Sequence, residues 1–139
     1  MKLSISIPAV LSELSTLRNE VTGFLGESLD DTDRGRVVLA IDEAVSNVIT
    51  HGYNSDETKI IKIDMESYPD SFKFIITDTA PEYNPLESKS PDIDKYHDEG
   101  LDRGLGIDII RRIMEVRYEK NPEGGNRLIL IKEKINEKK

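Results

Sequence analysis

The 139-residue sequence has no cysteine and only two histidines. Without cysteine the chain can form no disulfide, no thiolate metal site and no cysteine nucleophile. The histidines lie far apart, at positions 51 and 97, which argues against a histidine-rich metal site. No apolar run approaches the roughly 20 residues of a membrane span, and the N-terminus alternates in hydropathy, unlike a signal peptide. We therefore expect a cytoplasmic protein without membrane association.

Charge of one sign is in excess, since 27 acidic residues face 19 basic ones and the net charge is −8. An acidic surface repels phosphate backbones, which argues against nucleic acid as a partner. The hydrophobic fraction of 37% is ordinary for a globular domain. A chain of this length suits one compact domain, so we predict a single domain over residues 1–139.

Hydrophobic periodicity predicts a strand, two helices, a hairpin, a long loop, a third helix and a second hairpin. The strands are predicted at 3–8, 59–67, 71–78, 116–120 and 126–134, and the helices at 8–28, from 30–35 to near Gly52, and after 104–106. This order favours an α+β two-layer sandwich with helices packed on one face of a mostly antiparallel sheet. The proline-containing, acidic loop is long for a compact domain, and we expect a lid at about 84–103.

Three polar residues lie at helical spacing in EAVSNVITH, residues 43–51: Glu43, Asn47 and His51. Positions i, i+4 and i+8 of an α-helix drift by only about 40° per step, so the three side chains form one stripe beside the apolar face. Such a stripe suits the floor of a functional site. A solvated helix edge with i,i+4 hydrogen bonds gives the same pattern and, from this helix alone, explains it better.

Two further segments carry candidate residues. In DRGLGIDII, Gly104, Leu105 and Gly106 precede a helix, where backbone N–H groups can approach a phosphate. The segment is neither a Walker loop nor a dinucleotide fingerprint, and a plain hinge would also need glycine. Asp78 ends an apolar strand, where its carboxylate could accept a hydrogen bond from a purine amino group or simply form an Asx turn.

The order of these segments resembles that of the Bergerat-fold ATPases, the superfamily of gyrase, MutL and sensor histidine kinases. EAVSNVITHGY is similar to their N box, DTAPEYNP to their first glycine box and GLGIDIIRRIMEV to their second. The nearest likeness is to the stand-alone anti-sigma-factor serine/threonine kinases, whose ending is similar to GGNRLIL. The resemblance covers about residues 3–134. One departure is Ala80, which stands where the first glycine box usually has glycine.

The resemblance implies binding of ATP with Mg²⁺ and assigns roles to individual residues. Glu43 would be the catalytic residue that accepts or orients the attacking hydroxyl proton, and Asn47 would give a side-chain oxygen to Mg²⁺. Asp78 would bind the adenine amino group. The phosphates would meet the backbone N–H groups of Gly104, Leu105 and Gly106. The nucleotide site would further include His51, Ala80 and Arg103.

The resemblance also implies partners. The protein substrate would be an anti-sigma-factor antagonist carrying one Ser or Thr, and the second partner a sigma factor held inactive by binding. The resemblance further implies that two copies of the chain form a homodimer. Three alternatives stay open: an ATP-binding switch that binds a partner without phosphorylating it, a Bergerat-like domain of another phosphorelay or phosphatase system, and a regulatory protein that has lost ATP.

Overall fold

The structure is a computed structural model that describes residues 1–87 and 103–134, except for the side chains at 87 and 103–105. Most of the predicted lid, residues 88–102, lies outside the described residues. The described chain forms five strands and three α-helices: β1 (Lys2–Pro8), α1 (Leu14–Leu25), α2 (Asp31–Asn47), β2 (Ile60–Ser67), β3 (Ser71–Asp78), α3 (Arg103–Ile113), β4 (Glu115–Lys120) and β5 (Asn126–Glu133). No helix in these ranges is long and apolar enough to cross a membrane.

The strands form one five-stranded sheet in the order β1-β2-β3-β5-β4. Every neighbouring pair is antiparallel, and both predicted hairpins, β2–β3 and β4–β5, are present. The register places Asp78, the last residue of β3, opposite Asn126, the first residue of β5. In an antiparallel pair the last residue of one strand lies opposite the first residue of its partner. These two polar residues therefore meet at one end of the β3–β5 pair.

One face of the sheet carries the helices. The alternate residues of β2 and β3 that face them are fully buried: Ile61, Ile63, Met65, Phe72, Phe74 and Ile76. The helices complete the core with Leu17, Val21, Leu25, Val37, Ile41, Val45 and Ile110. Burying each large apolar side chain contributes roughly 1.5–3 kcal/mol. The predicted α+β two-layer sandwich is confirmed.

The first helix differs from its predicted span of 8–28. The N–H group of Ala9 donates to the carbonyl of Lys59 at 2.9 Å, and Val10 is extended with φ −135°, so the chain leaves β1 without turning into a helix. A short 3₁₀ turn, Leu11–Glu13, precedes α1. The prediction is therefore wrong at the N-terminal end because a tertiary backbone hydrogen bond prolongs the extended chain.

The second helix matches its predicted extent but changes character at its end. The carboxylate of Asp30 caps α2 by accepting from the Asp33 N–H group at 2.8 Å. After Asn47 the chain makes a π turn, Val48–Gly52, in which the N–H group of Tyr53 donates to the carbonyl of Val48 at 2.8 Å. Such wider turns are frequent at functional sites.

The third helix begins earlier than predicted. It starts at Arg103, so residues 104–106 lie inside the first turn of α3 and not before it. The N–H groups of a helix's first turn have no partner within the helix. The prediction of a start after Gly106 is wrong, and the glycines belong to the part of a helix that can offer its N–H groups to a ligand.

Candidate active site

A cavity of about 310 Å³ opens where α2, β3 and the start of β5 meet. Its walls come from α2 and the π turn, from the loop after β3, from α3, and from β4 and β5. The lining residues are Ala44, Asn47, Val48, His51, Gly52, Asn54, Asp78, Pro81, Glu82, Tyr83, Pro85, Ile107, Ile110, Tyr118, Asn126 and Leu128. The cavity is thus largely apolar, with a few polar groups converging on it, as is usual for small-molecule sites.

Three of the predicted residues line this cavity: Asn47, His51 and Asp78. Asn47 is half-buried at the end of α2, whereas His51 is exposed in the π turn. The π turn means that His51 does not continue the α-helical stripe, although it still reaches the cavity wall. Residues 103–105 are placed by their backbone in the first turn of α3, and their side chains lie outside the described structure.

Gly106 brings α3 against the polar stripe of α2. A Cβ atom at Gly106 would lie 3.0 Å from Nδ2 of Asn47 and 3.1 Å from Oε1 of Glu43. Both distances are shorter than ordinary van der Waals contact, so any larger residue at 106 would push the ends of these two side chains away from their present positions. Glu43 and Asn47 are half-buried and lie against α3, so they are partly shielded from solvent. The Glu43 carboxylate, the Asn47 amide and Gly106 in the first turn of α3 therefore lie together beside the cavity.

Asp78 is the buried acid of the cavity, with a relative exposure of 5%. Its Oδ1 atom accepts hydrogen bonds from the N–H group of Ala80 at 2.9 Å and from Nδ2 of Asn126 at 2.9 Å. Burial raises the pKa of the Asp78 carboxyl above its ordinary value, and these donors offset part of the rise. The bond to Ala80 is the Asx turn expected of a loop-initiating aspartate, and the same carboxylate also faces the cavity.

Ala80 adopts an ordinary backbone conformation. Among the described residues, only Asn54 and Ser55 combine a positive φ with a side chain. The alanine at the usual glycine position therefore needs no left-handed backbone. Ala80 is buried and does not line the cavity, and its contribution is the N–H group that holds Asp78.

Sequence reasoning missed Asn126, which is buried and lines the cavity. Its Oδ1 atom accepts from the Tyr83 N–H group at 2.9 Å and from the Tyr118 hydroxyl at 2.6 Å. Its Nδ2 atom donates to Asp78 and to the carbonyl of Pro81 at 3.2 Å. The alternation of β5 places Asn126 on the same face as Leu128 and Leu130. A polar residue in this otherwise apolar row is the sequence feature that could have indicated a role for Asn126.

Tyr53 connects the end of the π turn to the strand that carries Asp78. Its hydroxyl accepts from the Thr79 N–H group at 2.7 Å and donates to the carbonyl of Ile60 at 3.0 Å. The side chain is buried, so both partners would lose a hydrogen bond without it. The tyrosine of the HGY segment thus holds the N-box helix and the Asp78 loop in register.

Comparison with known proteins places this geometry in a family. The histidine kinase-like ATPase domain family matches residues 7–132, nearly the whole chain. The chain is 27% identical over 136 residues to the anti-sigma F factor of Clostridium novyi, covering 92% of this chain and 81% of that protein. It is 30% identical over 131 residues to the serine-protein kinase RsbW of Staphylococcus aureus, covering 86% of this chain and 80% of the kinase.

A third relative, the anti-sigma F factor of Clostridium beijerinckii, is 26% identical over 144 residues and covers 97% of this chain and 95% of that protein. The family match over residues 7–132 includes the end of α2, the loop after Asp78 and the start of α3. The chain belongs to the histidine kinase-like ATPase domain family, within its branch of anti-sigma-factor serine/threonine kinases. This membership confirms the resemblance seen in the sequence.

Proposed function

We propose that the protein transfers the γ-phosphoryl group of ATP to a serine or threonine of an anti-sigma-factor antagonist and holds a sigma factor inactive by binding it. The observation that carries the proposal is the meeting of Glu43, Asn47 and Gly106 beside a cavity that contains Asp78. The relatives named serine-protein kinase and anti-sigma F factor support the two halves of this activity. The family resemblance is the reason for naming an anti-sigma-factor antagonist as the substrate.

The cavity suits the adenosine part of ATP. Apolar residues such as Ala44, Ile107 and Leu128 form walls for a flat ring, and Asp78 supplies the acceptor for the adenine amino group. The first turn of α3, Arg103 to Gly106, supplies N–H groups and the positive end of a helix dipole to the phosphates. Exposed His51, on the cavity wall, would orient neighbouring polar groups.

The polar residues beside Gly106 also suit Mg²⁺. The described residues contain no group of three or more His, Asp or Glu side chains placed to hold a metal ion by themselves. Mg²⁺ bound to a nucleotide takes only one or two oxygens from protein and the rest from phosphates and water. The amide of Asn47 can supply such an oxygen. When bound, Mg²⁺ neutralises charge on the transferred phosphoryl group.

Glu43 is the candidate base. Its carboxylate lies against the first turn of α3 together with the Asn47 amide, one helical turn away on α2. It would accept the proton of the attacking Ser or Thr hydroxyl as the oxygen–phosphorus bond forms and the bond from phosphorus to the leaving ADP oxygen breaks. Phosphoryl transfer depends mainly on positioning and electrostatics, so one carboxylate beside one metal ion can suffice.

The test is incubation of the purified chain with γ-labelled ATP, Mg²⁺ and an anti-sigma-factor antagonist encoded in the same genome. We expect label on a serine or threonine of the antagonist. Binding of ATP without label on the antagonist would instead support a switch that binds its partner without phosphorylating it. Absence of ATP binding would support a regulatory protein that has lost ATP.

Gly106→Ala should lower the rate of phosphoryl transfer without lowering the stability of α3. Alanine normally stabilises a helix interior by up to about 1 kcal/mol relative to glycine, but here the methyl group would displace Glu43 and Asn47. We expect phosphoryl transfer to fall at least tenfold, the effect of roughly 1.4 kcal/mol on the barrier. Gly35→Ala in α2 is the matched control, because nothing lies within 4 Å of its added Cβ. The control should be as active as wild type and slightly more stable; equal activity of both variants would contradict the assignment.

A further inference from the structure

Asn126 uses the whole hydrogen-bonding capacity of its amide. Two donors, the Tyr83 N–H group and the Tyr118 hydroxyl, meet its oxygen, and two acceptors, Asp78 and the Pro81 carbonyl, meet its nitrogen. A backbone N–H group can only donate and a carbonyl can only accept, so these partners determine which end of the amide is which. Asn126 as a residue is 9% exposed, and hydrogen bonds on both sides of its amide hold the orientation.

Asn126 forms hydrogen bonds to four residues that line the cavity. Asp78 ends β3, Pro81 and Tyr83 belong to the loop that follows, and Tyr118 lies on β4; all four line the cavity. The hydrogen bond to Oδ1 of Asp78 favours the ionised carboxylate and restricts its rotation. With Oδ1 also held by the Ala80 N–H group, the carboxylate has a fixed direction.

We infer that Asn126 is the positioning residue for base recognition: it orients the Asp78 carboxylate and the 81–83 loop so that the site selects a purine with an exocyclic amino group. The inference rests on the proposed function, since it takes ATP as the ligand. Asn126 acts through Asp78 and is not assigned a contact with the nucleotide. A buried amide that only stabilised the fold would affect all ligands of the cavity equally, whereas a positioning amide affects the discrimination between them.

The experiment measures the affinity of the full chain, with Mg²⁺, for ATP and for purine riboside triphosphate, which lacks the amino group. Wild type should bind ATP about tenfold more tightly or better, as expected for a hydrogen bond to a charged group. In Asn126→Ala this ratio should fall towards one. A variant that weakens both nucleotides by the same factor, leaving the ratio unchanged, would overturn the inference. Failure of wild type to bind either nucleotide would overturn the proposed function instead.

Asn121→Ala is the matched control. Asn121 is also 9% exposed and also donates to Asp78, but to the backbone carbonyl, at 3.2 Å. Its loss removes a buried hydrogen bond without touching the carboxylate. We expect lower stability with an unchanged affinity ratio. An equal loss of the ratio in Asn121→Ala and Asn126→Ala would show that the effect comes from general loosening, and would overturn the inference.

Asn126→Asp tests the same point with a side chain of nearly the same size, which keeps the oxygen that accepts from Tyr83 and Tyr118. Its other oxygen would face Asp78 as a second carboxyl group. Two such groups share a proton in acid and repel once both ionise, so the affinity ratio should fall as pH rises, and the wild-type ratio should not. An identical pH profile for the two proteins would contradict the inference.

Other titratable groups share the cavity with Asp78 and are the same in wild type and Asn126→Asp, so a pH dependence that they cause is present in both profiles. They come from the π turn, the loop after β3 and β4: His51, Glu82, Tyr83 and Tyr118, with Lys120 paired to Glu82 at 3.6 Å.

Discussion

Glu43→Gln should leave ATP binding nearly unchanged and slow phosphoryl transfer by about 10²–10⁴-fold, the usual contribution of a general base. Glutamine has the same size as glutamate and fits beside Gly106, so the geometry of the α2–α3 contact survives. It cannot accept a proton at neutral pH. The measurement is single-turnover transfer of label from ATP to the antagonist, together with calorimetric binding of ATP.

Asp42→Asn provides the control for Glu43→Gln. Asp42 is the neighbouring carboxylate on α2, and it pairs with Arg18 of α1 at 2.9 Å instead of facing α3. Its loss should cost at most about 1 kcal/mol of stability, as for other partly exposed ion pairs, and should leave transfer at the wild-type rate. If Glu43→Gln transfers phosphate as fast as Asp42→Asn, Glu43 has no role in the chemical step.

Asp78→Asn should weaken ATP binding by roughly one to two orders of magnitude, the value of a hydrogen bond to a charged group. The asparagine oxygen can still accept from Ala80 and Asn126, so the loop keeps both hydrogen bonds. The second carboxylate oxygen becomes an NH₂ group, which donates and therefore cannot accept from an adenine amino group. Retention of wild-type ATP affinity would remove Asp78 from base recognition.

The same substitution should not destabilise the protein without ligand. Because burial raises the pKa of Asp78, the folded state binds this proton more tightly than the unfolded chain does. The stability that this group contributes is complete below its ordinary pKa of 3.8 and is lost as pH rises through the higher folded-state pKa. Neutral asparagine avoids that loss. Asp78→Asn should thus be at least as stable as wild type at pH 7, and its advantage should shrink as the pH falls towards 3.8.

The sequence was informative where one pattern decides local structure. Period-two alternation predicted β3 at 71–78, as observed, because each strand has one buried face. Helical spacing predicted the stripe of Glu43 and Asn47. Neither pattern could show that the stripe meets Gly106, since that contact depends on how α2 packs against α3.

Features that depend on hydrogen bonds between residues far apart in the sequence could not be predicted from it. The late start of α1 depends on a bond from Ala9 to Lys59, and the orientation of Asp78 depends on Asn126, 48 residues away. Local propensity contains no information about such partners. The roles of Glu43, Asn47 and Asp78 in binding and catalysis stay predictions, as does the lid, most of which lies outside the described residues.

Thermal unfolding with and without millimolar Mg²⁺-ATP, on wild type and Asn47→Ala, shows whether the cavity binds ATP and whether Asn47 takes part. A ligand at about a hundred times its dissociation constant stabilises the folded state by roughly 2.7 kcal/mol, which for a domain of this size raises the midpoint by roughly 5–15 °C. We predict such a rise for wild type and a reduced or absent rise for Asn47→Ala. No rise in either protein, with ADP equally without effect, would contradict the assignment of this cavity to ATP.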